Sequence, residues 1–201
     1  MSLLERRKNE TKVTDYKVRA IGAYEEALQY LDVAEKMDSK RCELHLISPT
    51  ITMGVFACEL FSKSIAYACS QRSEIRGHKL KTDFYKMFSE ETINNLKNSV
   101  YDKQHFEEYV SDIEELFEVW RYNFEYEKKT SHYSFVLEYA RALKTECERI
   151  LLEKNCYQLM LDIFDAEESP SVAPFNIKIS SFSIFILTYG TPYDIINNVR
   201  R

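Results

Sequence analysis

Three short segments carry the residue types that can hold an anion or move a proton. They are Ala57-Cys58-Glu59-Leu60-Phe61-Ser62-Lys63, Gly77-His78-Lys79-Leu80 and Trp120-Arg121-Tyr122-Asn123-Phe124-Glu125. Each sets charge beside heavily apolar sequence, where an isolated charge is costly and is therefore usually partnered or functional. Glu59 and Lys63 are four residues apart with the acid first, the favourable order for a helical ion pair. A rotation of about 100° per residue puts Arg121 at the edge of a stripe made by Phe117, Trp120 and Phe124, with Glu125 further round the same side. If the two helices pack together, Lys63 and Arg121 can hold a phosphate or carboxylate while a neighbouring acid orients them. The same charges would also serve simply to tie two helices together, with Trp120 and Tyr122 as packing residues. In the middle segment Gly77 permits a backbone conformation that other residues resist, and His78 can titrate near neutral pH. A histidine directly after a helix-ending glycine can equally bond a carbonyl. The candidate ligand-binding set is Glu59, Lys63, His78, Arg121 and Glu125.

Other chemistries find little footing. His45, His78, His105 and His132 are scattered, without an i,i+4 pair or cysteine neighbours, so no metal site is expected. The phosphate-cradle pattern GxxxxGK[ST], the dinucleotide pattern GxGxxG and the hydrolase pattern GxSxG are all missing, and no cofactor is expected. Five cysteines, at 42, 58, 69, 147 and 156, are an odd number without a CxxC pair, which reads as reduced thiols and a cytoplasmic compartment. No stretch approaches the roughly 18 consecutive apolar residues of a membrane span. The charged opening residues are not followed by the apolar core of a signal peptide. The net charge of −5 argues against wrapping a long polyanion but leaves room for a small basic cleft. Glu5-Arg6-Arg7-Lys8 and the terminal Arg200-Arg201 read as solvated ends.

The elements that must position these groups are helices. With only four glycines and four prolines among 201 residues, and 45% hydrophobic content, a turn-rich all-β fold is disfavoured and one helical core is expected. Residues 1–13 read as a polar tail. Tyr16, Ala20, Tyr24, Ala27, Leu28, Leu31 and Ala34 then recur at spacings of three and four, predicting a helix that ends near Met37. Ser48-Pro49 looks like a cap and first-turn proline opening a helix that is apolar nearly all round, and therefore central. A short helix follows over Thr82–Phe88, and Ser89-Glu90-Glu91-Thr92 supplies cap-like residues for another that ends near Tyr101. From Gln104 the clearest period begins: Phe106, Tyr109, Val110, Ile113, Leu116, Phe117, Trp120 and Phe124. Thr130 or Ser131 caps a last helix, striped by Phe135, Val136, Tyr139, Leu143, Cys147 and Ile150, that can run on to Phe164. The bundle thus spans 14–165. Residues 166–174 read as a linker, and 175–201 as an extension of strand-like composition that must pack on the bundle or on a partner.

Taken in order, the ACELFSKS helix, the GHKL turn, the helix ending VWRYNFE and the closing helix from Ser134-Phe135-Val136-Leu137 resemble the HEPN superfamily over Ile51 to Leu152, roughly half of the chain. The resemblance implies a mainly α fold, an antiparallel bundle of four or five helices. It also implies homodimers, found in toxin and antiphage systems or beside nucleotidyltransferase domains. Ribonucleases of that superfamily carry an arginine followed four to six residues later by a histidine, and they cut RNA without metal. Arg121 matches the arginine. Glu125, Tyr126 and Glu127 stand where the histidine is expected, and the next one is His132, eleven residues on. Without an imidazole beside the arginine, the proton carrier for attack by a ribose 2'-hydroxyl is missing.

Three functions follow as expectations. The first is a non-catalytic, dimeric interaction module that binds a protein partner or an anionic ligand such as a nucleotide. The second is a metal-independent endoribonuclease in which Arg121 steadies the phosphate and His78 or His132 carries protons. The third is a structural subunit whose tail from Phe175 adds a strand to another chain.

Overall fold

In the computed structural model, residues 3–40, 46–121 and 133–156 are described, with side chains for 15–40, 46–115 and 134–156. The chain divides into two units, Met1–Asp162 and Ile163–Arg201, and the described residues all belong to the first. They form five α-helices: α1 (Leu3–Asp38), α2 (Ile47–Ser70), α3 (Glu90–Asn98), α4 (Phe106–Arg121) and α5 (Tyr133–Glu153). Between α2 and α3 lie one π-helical turn, Leu80–Phe84, and one 3₁₀ turn, Tyr85–Met87. The fold is mainly α, as the periodicity predicted, and no strand occurs among the described residues. The expected linker at 166–174 and extension at 175–201 lie outside them.

The pairing of side chains fixes the helix directions. Ser64 Oγ donates to Ala20 O at 2.6 Å, Tyr24 meets Phe61 and Tyr30 stacks on Phe56, so α1 and α2 run antiparallel. Ala20, Ala27 and Ala34 recur every seventh residue and are fully buried, which lets the two backbones approach closely. Tyr24 Oη donates to Glu148, Lys17 Nζ to Asn155 O and Arg141 Nε to Glu35, setting α5 antiparallel to α1. Phe106 and Tyr109 pack edge-on against Phe135, and Phe106 also against Tyr139, so the start of α4 meets the start of α5. It follows that α2 and α5 are parallel, and they touch across the middle of the bundle. Cys58 Sγ donates to Val136 O at 3.6 Å and Cys147 Sγ to Ser64 Oγ at 3.1 Å. Gly54 makes this crossing possible, because a Cβ there would lie 2.8 Å from Val136 Cγ1.

α2 is the central helix that its all-round apolar pattern predicted, with Ile51, Val55, Cys58, Phe61 and Ile65 buried among α1, α4 and α5. Several boundaries differ from expectation. α1 begins at Leu3, so residues 3–13 are helical backbone rather than tail; the stretch holds no Gly or Pro and several strong helix formers, which lets the helix propagate. α2 begins at Ile47 with Leu46 before it, which places Ser48 and Pro49 inside the first turn, where a proline forfeits no hydrogen bond. The short helical piece starts earlier than Thr82, at Leu80, because Leu80 and Phe84 anchor it in the core. Of the cap-like run Ser89-Glu90-Glu91-Thr92, Ser89 is the residue that caps α3, accepting from Thr92 N–H at 3.1 Å, and the helix stops at Asn98 rather than near Tyr101. α5 ends at Glu153 rather than running to Phe164: Asn155 takes φ of 51°, a left-handed conformation that asparagine tolerates and that terminates helices.

Candidate functional site

Glu59 is the buried hub. It lies on α2 among fully buried Cys58, Phe61 and Ser62, its side chain only 8% exposed. A carboxylate so placed must be satisfied, because dehydrating it uncompensated costs several kcal/mol. Its Oε1 accepts from Lys63 Nζ at 2.6 Å, one helical turn on, and from His78 Nδ1 at 2.9 Å. The lysine is largely buried and its ammonium lies 6.0 Å from the centre of the Phe84 ring, close enough for a cation–π contribution. The imidazole is 70% exposed. One carboxylate oxygen therefore orients two basic groups from different elements, with the histidine as the outward member.

The turn that delivers His78 is built by two carboxylates. Asp83 Oδ2 accepts from the backbone N–H of both His78 and Lys79, each at 3.0 Å, and Asp83 N–H donates to Lys79 O at 2.9 Å. Gly77 takes φ of +112°, and any Cβ there would stand 2.1 Å from Asp83 Oδ2, so this position requires glycine on both counts. Glu114 of α4 accepts from the next amides, those of Lys81 and Thr82. Lys81 Nζ reaches back along α4 to Glu107 at 2.8 Å and Ser111 at 3.3 Å. Beneath them Leu80 and fully buried Phe84 plug into the core; burying such side chains stabilises by about 1.5–3 kcal/mol each.

Of the five residues singled out by sequence, Glu59, Lys63 and His78 come together. Arg121 closes α4, and its side chain, like Glu125 and His132, lies outside the described part. Asp83, Glu114 and Phe84 were not legible as members of this site. The one local signal was an acid following a glycine turn at short range, which also marks ordinary turns. His105 belongs elsewhere: its Nδ1 and backbone N–H both donate to Asp102 beside the start of α4, and its ring stacks on Tyr109.

A second ionic cluster was also missed. Glu146 of α5, 5% exposed, receives Arg149 Nη2 at 2.6 Å and Arg149 Nε at 3.0 Å, and Asn95 of α3 donates to the same carboxylate. Hydrogen bonding to Glu146 raises the arginine's already high pKa. The two-pronged fork lies within α5, and α3 is tied to it by Asn95, 3.3 Å from Glu146, and by Glu91, 3.7 Å from Arg149. Burial raises the Cys58 and Cys147 thiols well above their ordinary range and pushes Cys156 up to about 11, which removes them as thiolate nucleophiles near neutral pH. Among the described residues no three His, Cys, Asp or Glu side chains form a metal-binding group, and no helix is long and apolar enough to cross a membrane. No family model, curated protein or solved structure matches the chain.

Proposed function

We propose that the chain is a HEPN-like, dimeric, non-catalytic module that binds an anionic ligand, a nucleotide or an RNA phosphate, at Lys63, His78 and Arg121. The observation that carries this reading is the shared Glu59 oxygen, which holds a lysine and a mostly exposed imidazole on one side of the bundle. Protonating His78 turns the Lys63–Glu59–His78 set from neutral to singly positive, which favours a phosphate group. Internal ion pairs of this kind also serve structure alone, so the test must separate ligand binding from folding.

The test is a melting-temperature titration with nucleotides. A ligand at a hundred times its dissociation constant adds about 2.7 kcal/mol of stability. Lys63→Met and Arg121→Ala should abolish that gain while the unliganded variants stay folded. If no nucleotide or inorganic anion raises the melting temperature, the reading falls. Sedimentation should give twice the monomer mass.

The Glu59–His78 hydrogen bond also favours the second reading, a metal-independent endoribonuclease of toxin or antiphage type. A carboxylate on Nδ1 fixes the tautomer and the orientation of an imidazole that carries protons. In that case Arg121 would steady the phosphate, with His78 or His132 as the proton carrier. Labelled RNA should then be cut in the presence of a chelator, and Arg121→Ala should stop it; intact RNA at high protein excess removes this alternative.

A further inference from the structure

We infer that Asp83 is the positioning residue of the Glu59–Lys63–His78 site. This deepens the anion-binding reading above and rests on it for the ligand, but not for the geometry. His78 and Glu59 lie on separate elements, and nothing in α2 itself can bring the imidazole to Oε1. The turn must do so, and of the two carboxylates that shape it Asp83 is the one that holds the backbone at His78 itself. Asp83 gathers the amides of His78 and Lys79 on a single oxygen and lies against Gly77 so closely that no side chain fits there.

Successive backbone N–H groups converging on one point are a common anion-binding concavity. Here Asp83 fills the pair at 78 and 79, and Glu114 fills the pair at 81 and 82. An incoming anion is therefore met by side-chain cations, Lys63 and His78, and not by the backbone of the turn. Asp83 acts on the ligand only through where it holds His78.

The experiment follows the imidazole directly, in full-length protein labelled with ¹⁵N-histidine and assigned by loss of signal in His78→Gln. Wild type should show His78 protonated on Nδ1 and hydrogen-bonded. In Asp83→Ala that signature should collapse toward the free-imidazole mixture, with the other histidines unchanged. Asp83→Asn, whose amide oxygen can still accept both N–H groups, should restore it. Gly77→Ala, which leaves the carboxylate but forbids the turn, should behave like Asp83→Ala and gives a second route if that variant folds poorly. Stabilisation by pyrophosphate should need about tenfold more ligand in Asp83→Ala, the worth of one displaced charge-assisted hydrogen bond. An unchanged His78 signature in Asp83→Ala and Gly77→Ala would overturn the assignment. A lost signature, rescued by asparagine, in a protein that pyrophosphate never stabilises would uphold the positioning role and sink the anion-binding reading instead.

Discussion

His78 Nδ1 stands 2.9 Å from Glu59 Oε1 although nineteen residues separate them, and the same oxygen already accepts from Lys63. Two donors on one buried acceptor make the three side chains energetically interdependent. Removing the acceptor leaves a largely buried ammonium without its partner. Glu59→Ala should therefore cost about 3 kcal/mol in urea denaturation, near the lower end for a broken buried pair. Glu59→Gln, which keeps an acceptor, should cost clearly less. Equal losses in the two variants would mean that the negative charge itself, not the shape or a neutral acceptor, matters at this position.

Gly54 sits where α2 and α5 cross, facing Val136 and Leu137. A larger residue must push the parallel pair apart, and overpacking of this kind costs about 1–3 kcal/mol. Gly54→Val should lose that much, whereas Gly54→Ala recovers part of the strain through alanine's better helix propensity. Chemical denaturation of both variants checks the order, and a Gly54→Val protein as stable as wild type would show that the crossing is loose.

Ser62 Oγ is buried and has no hydrogen-bond partner among the described residues. An orphaned hydroxyl forfeits its hydration without return, so Ser62→Ala should raise stability by about 1 kcal/mol. A drop in the denaturation midpoint would instead mean that the hydroxyl is satisfied in solution.

Glu25 on α1 is half-buried, and desolvation pushes its carboxyl up to about 7. Its folded pKa thus exceeds its unfolded one. The native state then holds a proton that the unfolded chain has released, so the contribution is lost as pH rises from about 4.5 to about 7 and stays lost above. Glu25→Gln should be more stable than wild type at pH 8, by about 1 kcal/mol once solvent screening is allowed for. The advantage should fade below pH 5. An advantage independent of pH would assign it to packing.

The Glu146–Arg149 fork predicts that lysine cannot replace arginine, since one ammonium cannot make both parallel bonds. Arg149→Ala should cost about 2–3 kcal/mol by leaving Glu146 buried beside Asn95 alone. Arg149→Lys should recover less than half of it. Full recovery in thermal denaturation would reduce the fork to a point-charge contact.

Local sequence determined whatever depends on one element at a time. The threefold and fourfold recurrence from Tyr16 to Ala34 marked the face of α1 that is in fact buried, because a helix can hide only one stripe. The uninterrupted apolar surround of α2 marked it as central. The cap-like run from Ser89 to Thr92 marked the start of α3, since the Ser89 hydroxyl satisfies an amide within the same turn. The Glu59–Lys63 pair was legible for the same reason, being one helical turn long. Only the tertiary structure decided the rest. That α2 and α5 run parallel, that Gly54 lets them touch, and that His78 comes to Glu59 through a turn held by Asp83 and Glu114 all depend on side chains distant in sequence. Hydrogen bonds and van der Waals contacts act over a few ångströms of space and leave no period along the chain, so no spacing in the sequence announces them.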